Sequence, residues 1–192
     1  MHSLLVRLIL VMASAALPMA AAADDRALLI DAFTKAMARG NYSMQIDTEM
    51  KGRPYRTEMK VSYPDRYHMR SPDAEIIILP QGTWMNAGGQ WMKVPMNMSQ
   101  MIAGYSKEAM QQGMSAISEV RREGSESIDG CTTDLYRYRT SGDFMGVKKA
   151  STQVAAICRD TGLPLRLVTE GKDAVTIHYD FSSEVRIAPP NG

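Results

Sequence analysis

Between Asn41 and Met69, apolar and polar side chains alternate strictly in two consecutive runs. A period of two leaves such a segment one way to bury itself, as a hairpin with one wet and one apolar face. Tyr42, Met44, Ile46 and Met50 share a side of the first run, opposite Ser43, Gln45, Asp47 and Glu49. In the second, Tyr55, Met59, Val61 and Tyr63 oppose Arg56, Glu58, Lys60 and Ser62, with Gly52-Arg53-Pro54 expected to supply the turn. The apolar set is rich in methionine, a flexible and polarizable side chain that tolerates ligands of variable shape. Such a face suits adaptable apolar binding as well as packing.

At the N-terminus, Arg7 precedes the apolar stretch Leu8 to Leu17, then Pro18 and the small run Ala20 to Ala23 before Asp24. This is the pattern of a secretory signal peptide over residues 1–23, leaving a single domain over 24–192. No later segment approaches the roughly 20 apolar residues of a membrane helix, so the expectation is a periplasmic protein, soluble after cleavage. Neither a cysteine at the cut nor a twin arginine is present. Removing Arg7 from the 22 basic residues leaves them equal to the 21 acidic ones. That balance gives no support to electrostatic capture of nucleic acid or an anionic membrane.

Cys131 and Cys158 are the only cysteines, and an exported chain meets an oxidising compartment, so a disulfide is expected. An antiparallel hairpin that pairs 131 with 158 also sets 139 opposite 150. A bridge of this span contributes roughly 3 to 4 kcal/mol by loop closure. A metal or redox pair would need closer spacing.

Asp24 or Asp25 is placed to cap a helix carrying Leu28, Leu29, Ala32, Phe33 and Ala36, which Gly40 stops. After the hairpin, the unbroken Ile76-Ile77-Ile78-Leu79 implies a strand buried on both faces, and Gly88-Gly89 a tight hairpin. From Asn97 the period changes: Met98, Met101, Ile102, Tyr105 and Ala109, continued by Met110, Met114 and Ile117, predict a second helix. Gly104 and Gly113 each weaken it by roughly 1 kcal/mol. Strands follow at Ser118–Arg122, Cys131–Arg139, Ser151–Arg159, Leu165–Glu170, Ala174–Phe181 and Val185–Ile187. Roughly ten strands with short connections make an α+β domain with a largely antiparallel sheet.

Met96-x-Met98-x-x-Met101 has the spacing of a thioether site for Cu(I). Met98 and Met101 also fit the helix stripe, and no nearby histidine or cysteine completes a site, so packing is the preferred reading. Trp84 and Trp91 offer a cavity rim, a partner contact or, preferably, cross-strand packing. Arg121, Arg122, Arg137 and Arg139 alternate with Glu119, Glu123 and Asp134, the composition of a solvated strand face. The mature chain holds only His68 and His178, and no nucleophile elbow, zinc motif or phosphate loop, so neither an enzyme nor a cofactor is expected.

Several segments resemble the LolA-like family of periplasmic outer-membrane lipoprotein carriers and their lipid-binding relatives. They are the opening helix with its strand meander, Tyr63-Pro64-Asp65-Arg66-Tyr67-His68-Met69, Gly162-Leu163-Pro164-Leu165, and Tyr179-Asp180-Phe181. The resemblance implies an incomplete, half-open antiparallel β-barrel around an apolar cavity, with an N-terminal helix and a central helical lid. It implies a monomeric carrier that ferries the acyl chains of a lipid or lipoprotein between membranes, with transient contact to membrane-bound donor and acceptor proteins. A noncatalytic envelope-stress sensor on the same fold is the alternative. On this reading the cavity is lined by Met44, Ile46, Met50, Met59, Val61, Met69, Met85 and Met92, and the lid carries Met98, Met101, Ile102 and Tyr105.

Overall fold

Eleven antiparallel strands form one sheet in the computed structural model, which describes residues 18–95, 107–144, 147–172 and 174–190. Helix α1 spans Pro18–Arg39, and six strands follow it: β1 Asn41–Met50, β2 Arg53–Ser62, β3 Arg66–Arg70, β4 Glu75–Leu79, β5 Gly82–Asn86 and β6 Trp91–Val94. Helix α2, Lys107–Ser115, leads into β7 Ile117–Ile128, β8 Cys131–Phe144, β9 Val147–Cys158, β10 Pro164–Thr169 and β11 Val175–Asp180. The strand order is β6-β5-β4-β3-β2-β1-β11-β10-β9-β8-β7, so the chain lays down one half of the sheet, crosses through α2, and returns until β11 pairs with β1. The sheet is open, with β6 and β7 as its edges.

The alternating runs pair as expected, with Met44 opposite Met59 and Tyr42 opposite Val61. Their turn is tighter than the glycine-proline segment suggested: Met50 pairs with Arg53, and Lys51 and Gly52 take φ of 53° and 74°. A two-residue hairpin turn requires this left-handed pair, which glycine adopts at no steric cost.

Helix α1 begins at Pro18, not at an aspartate cap. Proline suits a first helical turn and the alanine run is strongly helix-forming, so the helix continues through Asp24 and Asp25. The Asp25 carboxylate instead accepts the backbone N–H of Arg122 at 3.1 Å. Leu29 and Ala32 of α1 pack with Ile117, Val120, Tyr136, Tyr138, Ala155 and Ile157, which covers one half of the apolar face.

The second helix ends earlier than its periodicity implied. Ile117 opens β7, buried and paired with Thr140, with its carbonyl accepting from Arg26 Nε at 3.0 Å. A β-branched residue fits that pleated, half-buried position better than a helix end. Residues 97–105, including Met98, Met101, Ile102 and Tyr105, and Met96 of the copper spacing lie outside the described residues.

The disulfide Cys131–Cys158 is present, with Cα atoms 5.8 Å apart. Its hairpin differs from the expected register by two residues: Thr133 sits opposite Cys158 and Arg139 opposite Thr152, so the bridge runs diagonally. A shift of two preserves every side chain's face, which is why alternation alone did not distinguish the registers.

Strand β4 is buried on both sides. Ile76 and Ile78 join the methionine face, while Ile77 and Leu79 pack with Trp84, Trp91, Val185 and Ile187 on the other. Val185–Ile187 is therefore not a strand but an irregular tail lying against β4 to β6. β7 departs from regular pairing twice, with register shifts between Ser118/Arg121 and Arg122/Gly124.

Candidate binding surface: a methionine row across the sheet

Strand registers convert the scattered methionines into one line. Met92 pairs with Met85, Met85 with Ile76, Ile76 with Met69, Met69 with Met59, Met59 with Met44, and Met44 with Tyr179. The row crosses seven adjacent strands on one face, about 29 Å at the usual interstrand spacing. Beside it runs a second, mostly apolar row, Val94, Thr83, Ile78, Tyr67, Val61 and Tyr42, in which Thr83 is a buried hydroxyl. Ile46 lies on the other flank and pairs with Ile177, which pairs with Leu167.

Burial grades along the row. Met59 and Met44 are 1% and 5% exposed, whereas Met92 at the β6 edge is 52% exposed. Met69 and Ile46 pack against the buried cluster of Tyr42, Met44, Met59, Val61, Tyr67 and Ile78. Of the expected cavity residues, five methionines therefore fall in the row, and Val61 and Ile46 flank it. Met50 is set apart at the hairpin tip, 48% exposed.

Aromatic rings gather at one side of this surface. Tyr42 stands 5.4 Å from Phe181, 6.1 Å from Tyr179 and 6.2 Å from Tyr63, centroid to centroid. Burial pushes the Tyr42 and Tyr138 phenols well above the ordinary tyrosine range, and the Tyr67 phenol up to about 12. The surface is thus uncharged over a wide pH range. Where β8 and β9 extend it, polarity enters: Tyr138 donates to Gln153 at 2.6 Å, and Gln153 donates to Thr140 at 3.1 Å. This network was not anticipated, although Tyr136, Tyr138 and Thr140 share one parity, as do Ser151, Gln153 and Ala155.

The opposite face is a lattice of ion pairs. Arg137 joins Glu123 at 2.6 Å and also Glu170, and Arg139 joins Glu119 at 3.2 Å; Asp134, by contrast, shares the α1 side with Tyr136 and Ile157 and there accepts from Arg159 at 2.6 Å and from Arg122. Arg137, Arg139, Glu119 and Glu123 thus form the solvated face expected from their alternation, whereas Arg122 and Asp134 of the same expectation lie on the other side, beside Tyr136. Arg56, also on this face, pairs with Asp47 at 2.7 Å. His68 is held by Glu75 at 2.6 Å, and His178 is exposed on β11. A hollow of about 300 Å³ reaches Met44 and Met59 but is bounded mainly by polar groups, among them Gln45, Glu58, Lys60 and His178. Trp84 carries Lys93 Nζ 5.4 Å from its ring centre and, with Trp91, packs beneath the tail, so cross-strand packing describes both tryptophans.

No protein-family model and no curated protein matches this chain. Solved structures do. Lipoprotein LppX of Mycobacterium tuberculosis aligns with a TM-score of 0.66 at 10% identity, over 86% of this chain and 99% of its own. LprF from Mycobacterium bovis aligns with a TM-score of 0.62 at 11% identity, over 88% of this chain and 98% of its own. MucB, in the Pseudomonas aeruginosa MucA/MucB complex, reaches 0.50 at 15% identity over 81% of this chain, which matches 55% of that one. The likeness is one of fold: this is an open antiparallel sheet of the LppX and LprF type.

Proposed function

We propose that this chain is a noncatalytic carrier of the cell envelope that holds the acyl chains of a lipid or lipoprotein against the methionine row. The row itself carries the reading: Met92, Met85, Met69, Met59 and Met44 line up across the strands with Ile76 and Tyr179. Its length of about 29 Å is close to the roughly 30 Å of hydrocarbon in a bilayer, the reach of two acyl chains end to end. Each CH₂ taken from water contributes about 0.8 kcal/mol, so a long apolar track binds a lipid tail without polar contacts. Thioether side chains repack around tails of different shape. The exposed Met92 end offers an entry, and the buried Met59 centre opens only when cargo displaces its neighbours.

In this reading residues 1–23 are a signal peptide and the chain works in the periplasm, joined to its donors and acceptors by transient contacts. No helix among the described residues is long and apolar enough to cross a membrane. The helical lid expected from Asn97 onward, of which Lys107–Ser115 is described, shields the cargo. Protein purified from its own envelope is expected to begin at Asp24 and to yield stoichiometric acyl species on extraction and mass spectrometry. Met92→Asp, at the exposed end, is expected to lower acyl occupancy with the thermal transition intact, and Met59→Asp to abolish it; Glu58→Gln on the charged face should change neither. An empty protein that co-purifies with a partner would replace this reading with that of a sensor.

A further inference from the structure

A second apolar surface lies on the far side of β4, back to back with the methionine face. Ile77 and Leu79 of β4 form its floor, and Trp84 and Trp91 pack there too. The chain fills this groove with its own tail, through Val185 and Ile187. A segment with two apolar side chains one residue apart, in irregular extended backbone, is therefore already a bound ligand of the groove.

The tail is lightly held. Among the described residues, no backbone–backbone hydrogen bond ties residues 184–190 to the sheet, and Arg66 Nη1 donates to the Ile187 carbonyl at the long distance of 3.5 Å. Glu184 and Arg186 pair with each other at 2.7 Å, and both are largely exposed. At its start the tail swings from a compact turn in which Asp180 Oδ1 accepts from Ser182 N at 2.8 Å and Ser183 N at 3.2 Å. A fixed hinge followed by two apolar anchors is the construction of a displaceable strap.

We infer that the groove is a docking site for an extended segment of a partner protein, with two aliphatic residues separated by one, for which the tail is a resident substitute. Arg66 and Lys93 stand beside it, exposed and basic, so acidic residues flanking the aliphatic pair complement the site. Partner capture and acyl carriage would then use opposite faces of the same strand, and the groove assignment stands whether or not the methionine row carries lipid.

The two tryptophans of the chain both pack in this groove, so intrinsic fluorescence reads its occupancy directly. Ile187→Asp is expected to release the tail and red-shift the emission while the circular-dichroism spectrum persists. Adding a synthetic peptide of residues 182–190 should reverse the shift saturably, and more tightly when Arg186 is replaced by Glu in the peptide; a peptide with Asp at both anchor positions should do nothing. The milder Val185→Ser variant repeats the test, and a fluorophore-labelled peptide exchanging onto the unaltered chain gives a reading free of any variant. Cooperative unfolding of both variants together with no exchange on the unaltered chain would overturn the inference, as would an unresponsive emission. Dimerisation of the unaltered chain through exchanged tails would also overturn it, by making a second copy the occupant.

Discussion

At the scale of single residues, the methionines divide by depth rather than by type. Met59 is 1% exposed and packed with Met44, Val61 and Tyr67, so Met59→Ala is expected to cost about 2 to 5 kcal/mol. Met92, 52% exposed, is expected to change stability by less than about 0.5 kcal/mol on the same substitution. Denaturant midpoints of the two variants, with unchanged slopes, check the contrast. The alternation around Met44 and Met59 made their shared face legible in the sequence, because a period of two admits one assignment. Their assembly into a row with Met69, Met85 and Met92 was not legible, since it depends on registers across four turns. A candidate such as Met50 shares the parity of Met44 and still ends at a hairpin tip.

At the scale of elements, the β8–β9 hairpin is the best-anchored part of the sheet. It pairs continuously from Thr133–Cys158 to Phe144–Val147 and is stapled by the Cys131–Cys158 bridge, across a sequence separation of 27. Reduction is expected to lower unfolding stability by roughly 3 to 4 kcal/mol by the loop-closure relation, measured as a difference in denaturant midpoint with and without a thiol reductant. The bridge was readable from two cysteines once residues 1–23 were read as an export signal. The hairpin's register was not, because a slip of two leaves both faces unchanged. Helix ends were misread for a related reason: the spacing of Met110, Met114 and Ile117 fits a helix, while the tertiary contact of Ile117 beneath α1 makes it a strand. The irregular Val185–Ile187 segment alternates like a strand, but its anchors meet a groove instead of a sheet edge.

At the scale of the whole molecule, the methionine row is neutral while charges gather on the opposite face and around Asp134 beside α1, and their titrations point the same way. Side-chain and backbone hydrogen bonds from Ser182 and Ser183 hold the Asp180 carboxyl well below its ordinary range. Burial pushes Asp134 and Glu75 upward, but Arg159 and Arg122 outweigh it at Asp134, as do His68 and Arg70 at Glu75. Each folded value lies below the unfolded one, so on acidification the unfolded chain binds protons first. Stability is present above the unfolded carboxyl values of about 4 and is lost as pH falls below them. Denaturant midpoints followed from pH 7 to pH 2 are expected to decline in that window, and Asp180→Asn to flatten the decline.

Among the described residues, the open sheet of eleven strands leaves two unpaired borders, and each is ill-suited to copying itself. β6 is four residues long and carries Lys93, while β7 shifts register twice and twists at Glu119, whose φ is 52°. A foreign strand laid along either border would meet a short, charged template or a crooked one, and straight ladders are what fibril growth requires. The same irregularities that interrupt β7 therefore make its border a poor template for edge-to-edge growth.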